Sequence, residues 1–227
     1  TLEDAWQVAY EIAARAGGDP GYPGLYGPSS APAQHKPRRV AMLETLGWSA
    51  ASSGAKEAMG DAVARCRAAG IEVITRQSHP KVDAVEGAIA QARAITMRLN
   101  AWEWRWPLNT YRERDAKKLS RAMLDRLAEA EAMSLDDYRR DKDRALYAEL
   151  ASECEACISL SAPSAAPIGL HSTGDPNCTV HASYLGIPAV SLPVLADEGL
   201  PLGLQVAGFS NGDAQAFAIA TALKELF

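Results

Sequence analysis

The stretch from Leu160 to Gly208 constrains this chain more than any other. Pro163, Pro167, Pro176, Pro188, Pro193 and Pro201 are set among Gly169, Gly174, Gly186, Gly199, Gly203 and Gly208, with short apolar pieces between them. Proline fixes φ and removes a backbone donor, whereas glycine reaches conformations that other residues avoid. A segment punctuated this densely, and without low complexity, has its backbone set piece by piece. Loops placed in that way on strands commonly shape a site.

The rest of the chain supplies the frame. Thr1 and Asp4 have capping-box spacing, and Leu2, Ala5, Val8, Ala9 and Ile12 recur at helical intervals, which predicts a helix over 1–16 that Gly17-Gly18 stops. Opening on a helix cap without an initiator Met is what a piece of a longer protein would do. Residues 19–38 are too rich in Pro and Gly for regular structure and form a connecting segment. Over 39–75 a buried strand (39–45), a helix (53–69) and a second strand (71–75) make a βαβ unit, so part of the sheet is parallel.

Residues 82–154 read as helical. One helix is expected from Val82 to about Trp106, with Asp83 and Glu86 as its capping box and Pro107 beyond its end. Trp102, Trp104 and Trp106 close it; Trp102 and Trp106 share a face and Trp104 lies on another, so not all three are core. Packing is the expectation over walling a pocket in a larger assembly, because tryptophan is highly buried on average. A narrow apolar stripe runs from Leu119 to Met133, and a further helix starts at Ser134 and continues toward Glu153; their dense mixed charges fit solvated faces. Over 156–227 three strands are expected, at 156–160, 189–192 and 202–207, before a last helix capped by Asp213. The fold class is α/β, with a mixed β-sheet sandwiched by α-helices.

Several linked motifs in the long run carry a resemblance. Ala162-Pro163, Ala166-Pro167-Ile168-Gly169, Ser172-Thr173-Gly174-Asp175-Pro176, Leu185-Gly186-Ile187-Pro188-Ala189-Val190-Ser191-Leu192-Pro193 and Gly199-Leu200-Pro201-Leu202-Gly203-Leu204-Gln205-Val206-Ala207-Gly208 resemble, in order, the C-terminal part of an amidase signature family enzyme. The resemblance implies that 1–227 is the C-terminal portion of the amidase signature fold, and that the activity is hydrolysis of a carboxamide C–N bond by a Ser-cis-Ser-Lys mechanism. The family's catalytic Lys and both serines lie in its N-terminal half. No Gly-Gly-Ser-Ser-Gly-Gly loop occurs in this chain, so no catalytic residue is expected here and the chain alone is expected to be inactive. The implied partners are a small-molecule amide and the N-terminal half of the same enzyme, with a homodimer left open; no cofactor is implied. Thr173, Asp175 and His171 are the candidate substrate-binding residues. An equal account of Asp175 is an Asx-turn over Asn177. Asn177-Cys178-Thr179-Val180-His181 also departs from the Phe-Asn and Trp of many members. The alternative function is a non-catalytic binding or scaffold domain that keeps part of the fold.

Composition narrows the other classes. A net charge of −5 and a pI near 5.4 argue against a nucleic-acid partner, and no apolar run is long enough to span a membrane, so no membrane partner is expected. Four cysteines are too few for a disulfide framework in a chain of this length, which makes the cytoplasm the default location. Cys154 and Cys157 form a C-x-x-C, but no second pair completes a structural zinc site, so no metal is expected. Ser53-Gly54-Ala55-Lys56 is an S-x-x-K without the companion elements of β-lactamases. Ser52 or Ser53 as a helix cap, with Lys56 facing water, accounts for it.

Overall fold

The computed structural model describes residues 1–18, 23–141 and 144–227; residues 19–22 of the expected connecting segment lie outside them. In chain order the elements are α1 (Leu2–Ala16), β1 (Arg39–Met42), α2 (Ser53–Ala68), β2 (Glu72–Ile74), α3 (Pro80–Ile89), α4 (Ala92–Asp115), α5 (Arg121–Ala132), α6 (Leu135–Asp141), α7 (Ala145–Leu150), β3 (Ala156–Leu160), α8 (Val180–Leu185), β4 (Ala189–Asp197), β5 (Leu200–Ala207) and α9 (Asp213–Lys224).

The five strands form one sheet in the order β2-β1-β3-β5-β4. The first three are parallel, with Val40 opposite both Val73 and Ala156. β5 then runs antiparallel to β3 and to β4. β4 and β5 are a hairpin whose two linking residues, Glu198 and Gly199, both have positive φ (51° and 76°), the turn geometry that matches strand twist. The register slips between Leu192 and Leu195, beside Pro193, which cannot donate to a ladder and sits on the edge strand where that is tolerated.

Alternation along the strands gives the sheet two apolar faces. Ile158, Leu160, Leu192 and Leu204 pack beneath Met59 and Ala62 of α2 and Ile219 and Leu223 of α9. On the other face Ala41, Leu43, Cys157 and Ala207 meet Val85 and Ile89 of α3, Leu99 of α4, Leu150 of α7 and Leu185 of α8. Helices thus cover both faces of a mixed sheet, as the sequence pattern implies.

Five details depart from the sequence reading. The expected helix from Val82 breaks after Ile89 and resumes at Ala92, which lets both Ile89 and Leu99 reach one apolar cluster. Asp83 and Glu86 are not a capping box: Asp83 pairs with Arg76 at 2.7 Å, and Glu86 accepts the Glu44 N–H at 2.8 Å. α4 runs through Pro107 to Asp115, and Trp104 and Trp106 face solvent; only Trp102 packs, stacked on Tyr138. The apolar stripe of α1 is also exposed, since Trp6 is the one residue of that helix that is buried, donating to Pro28 O and resting on Phe217. Asp213 lies in the first turn of α9 without capping it.

Glu86 is the fold's costly acid. Its side chain is 4% exposed, with Arg76 at 3.3 Å, and burial raises its pKa from 4.5 to about 7. The folded protein therefore holds this proton to a higher pH than the unfolded chain. The stability contribution is complete below about pH 4.5 and is lost as pH rises through about 7. Glu86→Gln is expected to raise the unfolding free energy at pH 8 by about 2 kcal/mol and to leave it unchanged at pH 4, as read from urea midpoints.

Candidate functional site

The loop that leaves β3 builds the site. Ser161 N–H donates to Gly203 O at 2.8 Å, so the chain leaves the sheet bonded to β5. Ser52 N–H then donates to Pro163 O at 2.8 Å, and Ala165 N–H donates to Asp197 Oδ2 at 2.9 Å. The same Asp197 oxygen accepts from Ser52 Oγ at 2.8 Å, while Ser52 Oγ accepts the Ala55 N–H at 2.9 Å and caps α2. Asp197 is 4% exposed, and a Cβ on Gly54 would strike its Oδ1. One buried carboxylate at the end of β4 thus ties down the start of α2 and the loop 163–165. The S-x-x-K serine takes no part: Ser53 is exposed, and Lys56 lies half-buried over the Trp48 ring at 5.8 Å.

Between this loop and the next lies a cleft of about 430 Å³, walled by residues 161–167 and 173–176 with Thr179, and floored by residues 201–203. Thr173 and Asp175 both line it; His171 is exposed on the same loop and does not. Asp175 closes the Asx-turn: Oδ1 accepts the Asn177 N–H at 2.9 Å, and Oδ2 accepts from Asn177 Nδ2 at 3.2 Å. Arg93, at the start of α4, donates to Asn177 Oδ1 at 3.3 Å and lies 4.0 Å from Asp175. The carboxylate is therefore held rigid and partly balanced while still facing the cleft.

Along the cleft floor the sheet face turns polar. Ser161 Oγ and Ser191 Oγ share a hydrogen bond at 2.7 Å across Gly203, where any side chain would strike both hydroxyls. One register further in, Gln205 Nε2 donates to Ser159 Oγ and to His181 Nε2, each at 3.3 Å. Gln205 thus serves side chains of two other elements. His181 is 1% exposed, and burial lowers its pKa to about 4. His171 is exposed and His181 buried, so the two histidines do not form one site.

The cleft lining holds hydroxyls and one carboxylate but neither lysine nor histidine. It can orient a polar ligand, and its one carboxylate, Asp175, is engaged by Asn177. A larger hollow of about 750 Å³ is lined by Tyr26, Arg144, Asn211 and Asp213, with Gly186 and Pro188, but by neither Thr173 nor Asp175; Pro163, Pro167, Gly174, Pro176, Pro201 and Gly203 line the smaller cleft. Among the described residues no group of three or more His, Cys, Asp or Glu is placed to hold a metal. Cys154 and Cys157 are buried free thiols, and their mutual hydrogen bond, with burial, pushes the Cys157 thiol up, away from the reactive thiolate.

Sequence reasoning missed Asp197, Arg93 and the Ser161–Ser191 pair. The signal available for the pair was Gly203 inside a strand, which marks close approach of other groups.

No family model and no curated protein matches the chain. Solved structures do. An amidase is 21% identical with a TM-score of 0.65, covering 86% of this chain and 47% of its own. A bacterial aryl acylamidase of the amidase signature family is 12% identical with a TM-score of 0.60, covering 84% and 44%. A chain from an inhibitor-bound complex, described with the evolutionary origins of an s-triazine catabolic enzyme, is 20% identical with a TM-score of 0.65, covering 99% and 51%. This chain spans about half the length of each. The likeness is one of fold: the chain has the amidase signature fold over about half of that fold's extent.

His181 gives the site a pH signature. The unfolded chain takes up the proton near pH 6.5, the folded protein only near pH 4. This stability contribution is complete above about pH 6.5 and is lost as pH falls toward 4, up to about 3 kcal/mol. In His181→Gln the urea midpoint is expected to lose this acid dependence, while the opposite dependence at Glu86 remains.

Proposed function

We propose that the chain is the C-terminal portion of a hydrolase of carboxamide C–N bonds and forms one wall of its substrate cleft. The observation that carries this reading is the cleft itself: residues 161–167 and 173–176 meet over residues 201–203 in a polar hollow whose lining holds neither lysine nor histidine. In the proposed reaction a serine on a complementary N-terminal segment attacks the amide carbon. A lysine there takes the serine's proton through a second serine and returns a proton to the leaving amine, and water then releases the acyl group. Such a lysine works as a base only if burial or neighbouring dipoles lower its pKa. Thr173 and Asp175 on the cleft wall, and His171 on the exposed part of the same loop, are assigned to substrate contact. The exposed Val8 and Ile12 on α1, 58% and 61% exposed, support a further segment packing there. The four free cysteines favour a cytoplasmic setting.

A scaffold domain without chemistry is the second reading. It is favoured by Asn177, whose backbone and side-chain N–H groups engage both oxygens of Asp175.

The chain alone is expected to hydrolyse no amide. Expressed together with the polypeptide encoded upstream of Thr1, it is expected to support turnover, with Asp175→Asn raising KM about tenfold and leaving the fold intact, since Asn also closes an Asx-turn. Turnover by the chain alone would overturn the placement of the catalytic groups. Complete silence of the pair would favour the scaffold.

A further inference from the structure

Two hollows away from the cleft meet at one side chain. The larger, of about 750 Å³, lies past the end of β5, whereas the cleft lies at that strand's start, and the two share no lining residue. Beside the larger hollow is a slot of about 190 Å³, walled by Val85 and Ile89 of α3, Tyr147 of α7, and Tyr184 and Leu185 of α8. Arg144 lines both.

Arg144 is half-buried and lacks the partners a guanidinium in that position ordinarily has. Its Nε is buried with no hydrogen-bond partner, and its side chain makes no ion pair among the described residues. Its Nη1 rests against Gly186, the left-handed residue that ends α8, where a Cβ would strike it. Arg98, by contrast, closes on Asp141 at 3.1 Å. A guanidinium presents five donors and cannot shed its proton. One that is partly desolvated and has no acceptor is held at a cost that an incoming anion relieves.

The slot sets what that anion carries. Apart from Arg144 its walls are aliphatic side chains and two tyrosines, and the Tyr147 hydroxyl is already spent on Gly208 O at 2.9 Å. An apolar cavity of about 150 Å³ takes up a benzene ring, so the slot has room for one ring or a chain of similar bulk. The larger hollow limits the charge. Glu103 and Asp213 line it too, and neither pairs with Arg144; Glu103 accepts from the Tyr138 hydroxyl at 2.8 Å. One cation facing two acids suits a single negative charge and disfavours a phosphate dianion. A carboxylate also matches the planar fork of the guanidinium.

We propose that Arg144 and the slot beside it form a second binding site, for a carboxylate that bears one phenyl-sized apolar group, with the carboxylate on the guanidinium and the ring among Val85, Ile89, Tyr184 and Leu185. The site shares no residue with those assigned to the amide substrate, so it stands whether or not the cleft hydrolyses amides. In the sequence Arg144 is one of many mixed charges that fit a solvated face, and only the fold brings it to the slot.

The test is calorimetric titration of the 227-residue chain with phenylacetate, phenyl phosphate, benzyl alcohol and benzylamine. Phenylacetate is expected to bind saturably at about millimolar concentration or below, and at least about tenfold more tightly than the other three. Arg144→Gln is expected to bring phenylacetate down to the affinity of benzyl alcohol. Ala88→Phe, at an exposed position of the slot lining, fills the slot with Arg144 in place and is expected to weaken phenylacetate at least about tenfold. Arg144 has no side-chain bond to lose and Ala88 is exposed, so both variants should keep the wild-type circular dichroism spectrum and melting temperature. The proposal is overturned if phenylacetate shows no binding at about 10 mM, if either variant binds it as well as wild type, or if phenyl phosphate or benzylamine binds more tightly than phenylacetate.

Discussion

The carboxylate of Asp197 joins three parts of the molecule at one point. It ends the edge strand β4, yet it accepts from the hydroxyl that caps α2 and from a backbone amide of the loop after β3. No ion pair to it exists among the described residues; the hydroxyl, the amide and the positive end of α2 stabilise its charge instead. A buried acid met only by such dipoles depends on their staying in place, since losing one leaves the charge under-compensated. The N-terminus of α2, the helix of the parallel βαβ unit, and the antiparallel hairpin are thereby locked at one point. The cleft wall from Pro163 to Pro167 starts from that point.

The floor of the cleft follows from a gradient along one sheet face. Deep in the molecule this face is Ala41, Cys157 and Ala207 under α3, α7 and α8. Two residues along each strand it becomes Ser159 and Gln205, both buried, and two further it becomes Ser161 and Gly203 beside Ser191. Polar groups inside a sheet are tolerated when each finds a partner, and here Gln205 bridges a serine and a neutral histidine. The residues at the mouth, Ser161 and Ser191, bond to each other and remain within reach of a ligand.

What could be read in the sequence was what depends on near neighbours in the chain. The Thr1–Asp4 capping box, the strand at 156–160, the helix begun by Ser52 and the loops between prolines and glycines all follow from local spacing, and all are present. What could not be read depends on distant partners. Ser52 and Asp197 are 145 positions apart, and nothing local marks either as half of a pair. Glu86 sits at capping-box spacing from Asp83 but is drawn instead to the Glu44 amide on another element. The tryptophans were expected to pack on general preference, and only Trp102 found a ring to stack on. Pro107 removes one helical donor, yet α4 continues, with Leu99, Ala101 and Leu108 buried before and after it.

Amide hydrogen exchange in Asp197→Ala, compared with wild type, tests most directly whether this carboxylate holds the cleft wall. The substitution removes the oxygen that accepts from both the Ser52 hydroxyl and the Ala165 amide. Exchange across residues 163–167 should quicken at least about tenfold, while amides of β3 and β5 keep their protection. Unchanged exchange in the loop, or equal acceleration in loop and sheet alike, would contradict the account.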